Sequence, residues 1–161
     1  MDLPAGGHMG KPKHLGDSGL SDFGWTCQHQ EPMPGKHRPR AVIRAGGPEH
    51  PSELQRTILE TAGYVVVTAR DGRHALAALD RDADIALVVT DLEMPGLDGL
   101  GLTRAIRADA ARSSLPVVIV TLHGSQDDVR KGVQAGADAY MAKRGFDQQA
   151  LLSTVERLVG R

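Results

Sequence analysis

The sequence predicts an α/β domain built on a doubly wound parallel sheet. Three observations carry this. From about residue 40 onward, short apolar runs alternate with longer segments of helical period; the runs are mostly β-branched and hardly alternate, as in strands covered on both faces; and Gly, Pro and Asp separate the two kinds of segment. Right-handed crossovers between parallel strands then place helices on both faces of the sheet.

The strands are expected at residues 41–45, 64–69, 85–90, 116–121 and 139–142. Between the first two, Pro48 and Pro51 precede Ser52, and Gln55 follows three residues later, a capping-box spacing. Leu54, Ile58, Leu59 and Ala62 then give one apolar face, and Gly63 ends the helix. The second helix is expected from Asp71-Gly72 through Ala75, Leu76 and Leu79, and the third from Asp98-Gly99 through Leu102, Ile106 and Ala110. The fourth begins at Ser125, with Asp127 and Asp128 where carboxylates suit the positive end of the helix dipole, and stops near Gly136. The last runs from Asp147 through Leu151, Leu152, Val155, Leu158 and Val159.

Residues 1–39 read differently. Up to residue 40 the chain holds seven Gly, five Pro and four of the seven His with no apolar period, so this stretch is expected to be a disordered tail or linker, with the domain at residues 40–161. The 161 residues carry 19 Lys and Arg against 20 Asp and Glu, which leaves no basic excess to hold a nucleic-acid backbone. Aromatic residues are 3% of the chain, too few for a base-stacking platform. A single cysteine, Cys27, argues for a reducing compartment, and neither an apolar leader nor a membrane-length run is visible; a cytoplasmic, membrane-free protein is expected. The spacings of His8, His14, Cys27, His29 and His37 match no zinc pattern, and Gly46-Gly47 lacks the rest of a phosphate-cradling loop.

Sites in such sheets gather at the carboxyl ends of the strands, which directs attention to Gly46-Gly47, Arg70, Asp91, Thr121 and Lys143. A carboxylate, a hydroxyl and an ammonium at one sheet edge fit phosphoryl transfer onto the carboxylate. The Asp91 oxygen would attack phosphorus, Lys143 and a metal ion would neutralise the equatorial oxygens, and the Thr121 hydroxyl would hold one of them.

Here the sequence resembles the CheY-like response-regulator receiver family over residues 40–161. The segment Val88-Val-Thr-Asp-Leu-Glu-Met-Pro-Gly-Leu-Asp-Gly99 is similar to that family's phosphoacceptor motif, and Ala135-Gly-Ala-Asp-Ala-Tyr-Met-Ala-Lys143 to its lysine segment. The resemblance implies a flavodoxin-like five-stranded sheet in the order 2-1-3-4-5. It also implies phosphorylation of Asp91, contact of the Glu93 backbone carbonyl with Mg²⁺, contact of Lys143 with the phosphoryl group, and Thr121 and Tyr140 as a switch pair. The implied partners are a histidine kinase or phosphotransfer domain upstream and a protein docking near Tyr140 downstream. Glu53-Leu-Gln-Arg56, and Phe146-Asp147-Gln148 after the lysine, resemble receivers fused to chemotaxis histidine kinases.

One departure stands out. Family members end the first strand with two acidic residues that hold Mg²⁺, whereas this chain has Gly46-Gly47. Glu49 is the nearest carboxylate in sequence and would have to reach back past Pro48, so Mg²⁺ binding is expected to be weak or absent. The leading expectation is a phosphorelay receiver with no enzymatic activity beyond its own phosphorylation and dephosphorylation. The alternative is a phosphorylation-independent interaction module on the same fold, and a nucleotide-binding enzyme of doubly wound type stands behind both.

Overall fold

The computed structural model describes residues 40–44 and 52–160. Five strands and five helices alternate: β1 (Arg40–Arg44), α1 (Ser52–Thr61), β2 (Val65–Ala69), α2 (Gly72–Arg81), β3 (Ile85–Asp91), α3 (Gly99–Ala108), β4 (Val117–Thr121), α4 (Gln126–Ala135), β5 (Ala139–Ala142) and α5 (Gln148–Val159). The sheet has the order β2-β1-β3-β4-β5 and every pairing is parallel, which is the predicted arrangement. Strand ends differ from expectation by a residue, and one difference bears on function: Asp91 is the last residue of β3 and does not lie beyond it.

The pleat divides the strand side chains between two cores. Val88, Val117 and Ile119 point to the side of α2 and α3, where Ala75, Leu79, Leu102 and Ile106 meet them. Leu87, Val89, Val118 and Val120 point the other way, against Ile58 and Leu59 of α1 and Leu151 and Val155 of α5. All five residues of β4 are buried, which explains why the sequence of a doubly covered strand shows no alternation. Each fully buried Val or Leu side chain contributes roughly 1.5–3 kcal/mol from removal of apolar surface from water.

Four helices start where the sequence places their caps. Asp71, Asp98, Ser125 and Asp147 each accept a backbone N–H of the first turn, from His74, Gly101, Asp128 and Gln149 respectively. Each such bond satisfies a donor that has no partner within the helix and contributes on the order of 1 kcal/mol. Gly136 closes α4 in the left-handed conformation.

Two expectations need correction. In α1 the inward residues are Gln55, Ile58 and Leu59, while Leu54 is half exposed at 51% and Ala62 is exposed beyond the helix end. Gln55 is therefore buried over the sheet, and its Nε2 has no hydrogen-bond partner among the described residues. Ala110 likewise falls outside α3, because Asp109 ends that helix in an extended conformation.

Long-range polar contacts gather at the amino edge of the sheet. Arg107, at the end of α3, donates to the Gly136 carbonyl at 2.9 Å, the Leu115 carbonyl at 2.7 Å and the Asp138 carboxylate at 2.7 Å. Asp138 also accepts the Val117 N–H at 2.8 Å, and its own N–H donates to the Val117 carbonyl at 2.8 Å. One guanidinium thus ties the end of α3 to the entry of β4, the end of α4 and the entry of β5.

Candidate functional site

The site is built at the opposite, carboxyl edge. β3 is a run of apolar residues buried on both faces, and it delivers Asp91 to the edge with only 5% of its surface exposed. The backbone after it is fixed by the Leu92 N–H donating to the Val120 carbonyl at 3.1 Å and the Gly99 N–H donating to the Leu92 carbonyl at 2.9 Å. Gly99 is required here by close approach: a Cβ at this position would stand 2.3 Å from the Asp91 carbonyl oxygen. The Thr90 hydroxyl donates to the Asp91 carbonyl at 3.1 Å.

The neighbouring strands supply the cation and the hydroxyl. The Lys143 N–H donates to the Thr121 carbonyl at 2.5 Å, so the chain leaving β5 is tied to the chain leaving β4. That contact turns the Lys143 side chain inward, where Nζ lies 2.7 Å from Asp91 Oδ1 with the two side chains only 5% and 7% exposed. Taking both charges out of water is costly, and their mutual attraction at hydrogen-bond distance offsets that cost as long as both partners are present. Asp91, Thr121 and Lys143 line one cleft together with Leu92, Glu93, Val120 and Leu122. The Thr121 hydroxyl donates to the His123 carbonyl at 3.2 Å and accepts the His123 N–H at 3.3 Å, both long contacts.

Tyr140 stands behind Thr121, on β5 opposite Ile119 of β4. Burial pushes its phenol above the ordinary tyrosine value; the nearby Thr121 hydroxyl offsets part of the rise, and the charges of Asp128 and Glu93 add to it. Even so, Thr121 does not complete hydrogen-bond geometry with it, and the buried Tyr140 hydroxyl has no partner among the described residues.

The sequence-predicted residues therefore meet in part. Asp91, Thr121 and Lys143 converge, Tyr140 packs beside them, and Glu93 lies on the cleft with its side chain exposed. Gly46, Gly47 and Glu49 lie outside the described residues. Among the described residues no group of three His, Cys, Asp or Glu side chains is gathered as for a metal ion. Asp91, paired with Lys143, and the backbone of Glu93 are the described groups on the cleft that could approach a divalent cation. The direct Lys143–Asp91 ion pair, the Arg107 contacts and the burial of Gln55 escape sequence reasoning. For Gln55 the only signal is its place between Ile58, Leu59 and the start of the helix.

Comparison with known proteins shows the family. The family model of the response regulator receiver domain matches residues 49–156. The chain belongs to the response regulator receiver family. It is 35% identical to the chemotaxis protein CheY of Pseudomonas aeruginosa over 107 residues, 66% of this chain and 85% of that one. It is 41% identical to the sensor protein GacS of Pseudomonas syringae over 99 residues, covering 60% of this chain but only 11% of GacS. Among solved structures it superposes on the receiver domain of the sensor histidine kinase PA1611 from Pseudomonas aeruginosa. That match has a TM-score of 0.69 and 26% identity, covers 78% of this chain and all of that one, and the structure has magnesium coordinated in its active site cleft. The protein is thus a CheY-like receiver of two-component phosphorelay signalling, a reading that family membership favours over a phosphorylation-independent module. Receivers are in general signalling modules and not enzymes. No helix among the described residues is long and apolar enough to cross a membrane.

Proposed function

We propose that this receiver takes its phosphoryl group on Asp91. The observation that carries the reading is the buried Lys143–Asp91 ion pair in a cleft that Thr121 also lines. In the transfer, an Asp91 carboxylate oxygen bonds to phosphorus as the bond from phosphorus to a donor histidine nitrogen breaks; the electron pair of that bond leaves with the imidazole, which takes up a proton. Lys143 Nζ then moves from carboxylate to phosphoryl oxygen, and the Thr121 hydroxyl, held only by long contacts, turns to another. Tyr140, next to Thr121, follows as the second member of the switch pair, and the face beside it receives a protein partner.

The same reading makes a histidine kinase or phosphotransfer domain the donor, residues 40–161 the receiver and residues 1–39 a tail or linker, in the cytoplasm. Magnesium dependence is weak or absent, since Gly46-Gly47 replaces the acidic pair and only Glu49, the Glu93 carbonyl and Asp91 could approach an ion. Beyond its own phosphorylation and dephosphorylation the domain turns over no substrate.

Incubation with acetyl phosphate, with Mg²⁺ in one arm and EDTA in the other, tests this by intact-protein mass spectrometry. A base-labile gain of one phosphoryl group that disappears in Asp91→Asn is expected. No gain in either arm, or a gain that survives the substitution, overturns the assignment. A gain confined to the Mg²⁺ arm with an affinity raised little by Gly47→Asp overturns the metal-poor reading alone.

A further inference from the structure

Gly132 lies in the middle of α4, where glycine weakens a helix relative to alanine, and it is buried. Its carbonyl accepts the Gly136 and Ala137 N–H groups that close the helix, a role open to any residue. What it does is admit the ring of Tyr140: a Cβ at 132 would lie 3.0 Å from Tyr140 Cδ2 and 3.3 Å from Cε2, with Ile119 Cδ1 at 3.6 Å on the third side. The first two distances are tighter than ordinary Cβ contacts, so a side chain at 132 requires the ring to give way by a few tenths of an ångström.

Among the described residues the inward ring is held chiefly by packing. Its hydroxyl is buried without a partner among the described residues, which opposes the inward position, because an outward ring would return that hydroxyl to water. The contacts with Gly132 and Ile119 oppose this, so a small change in the seat tips the balance.

We infer that Gly132 is a positioning residue that seats the Tyr140 ring against α4, and that any side chain at 132 drives the ring outward toward the partner-facing surface without a phosphoryl group on Asp91. The inference rests on Tyr140 as a switch residue for its consequence in signalling. The seat itself is tested with no phosphoryl donor present, so the two readings fail separately.

The chain has two tyrosines, Tyr64 and Tyr140, so fluorotyrosine labelling gives two resolvable ¹⁹F signals, assigned with Tyr140→Phe. In Gly132→Ala the Tyr140 signal is expected to move toward that of an exposed tyrosine and to become more sensitive to a soluble paramagnetic agent, while Tyr64 stays put. An unmoved Tyr140 signal overturns the inference. A cycle of thermal melts supplies a second reading. Gly132→Ala is expected to raise Tm in a Tyr140→Ala background, where only helix propensity acts, and to lower it beside Tyr140. Equal shifts in both backgrounds overturn the seat. If Gly132→Ala does not fold, folding of the double variant identifies the ring as the obstacle, and failure of both overturns it.

Discussion

The two edges of the sheet are built on different terms. At the amino edge, the Arg107 guanidinium closes three hydrogen bonds of 2.7 to 2.9 Å, and Asp138 returns two more to β4. At the carboxyl edge the polar groups are under-committed: the Thr121 hydroxyl has contacts of 3.2 and 3.3 Å, and the Tyr140 hydroxyl is buried without a partner. The Lys143–Asp91 pair that faces these two hydroxyls is short, at 2.7 Å. A closed network has one arrangement, whereas groups that are buried but poorly satisfied can reach a second arrangement at little cost. The fold is therefore anchored at one edge and adjustable at the other, and α4 spans both.

The strongest way to break this contrast is to remove the short contact of the adjustable edge. Lys143→Met removes the short ion-pair partner of a buried carboxylate and is expected to lower stability by about 3 kcal/mol in urea titration, with phosphorylation lost. A small effect on stability would mean that water reaches Asp91 freely and that this edge is looser than described. Arg107→Ala comes next. It should lower stability by about 2 kcal/mol through the loss of charge-assisted bonds, and speed amide exchange at the amino edge while phosphorylation of Asp91 proceeds at the native rate. A parallel collapse of phosphorylation would show that the edges are not independent.

The smallest effect sharpens the picture at an exposed contact. The His74 N–H, and then the His74 ring at 2.7 Å, hold the Asp71 carboxyl below its ordinary value. A carboxyl lowered in the folded state stabilises above its unfolded value, and that contribution fades as pH falls through the folded one. Asp71→Asn should therefore shallow the acid side of the stability profile and leave the neutral region little changed. An unaltered acid limb in thermal melts would show that the cap carries no charge-dependent stability.

How much of this was legible in the sequence follows from the range of each interaction. The caps at Asp71, Asp98, Ser125 and Asp147 act over two or three residues, so sequence shows them directly. Strand order and the convergence of Asp91, Thr121 and Lys143 follow from the pattern of crossovers and from the family's motifs together. The Arg107 contacts to Gly136 and Asp138 span 29 and 31 residues and depend on how the ends of α3 and α4 are set, which no periodicity encodes. Gln55 is hidden for a related reason: polarity argues for the surface, but Ile58 and Leu59 commit that face of α1 to the core and carry Gln55 in with them.

The sheet ends in two short strands, five residues in β2 and four in β5, followed directly by Arg70 and by Lys143-Arg144. An open row of backbone groups this brief, with cations where an added strand would continue, is a poor template for edge-to-edge pairing. Among the described residues, then, the two sheet edges are poorly suited to ladder-type self-association and to fibrous growth.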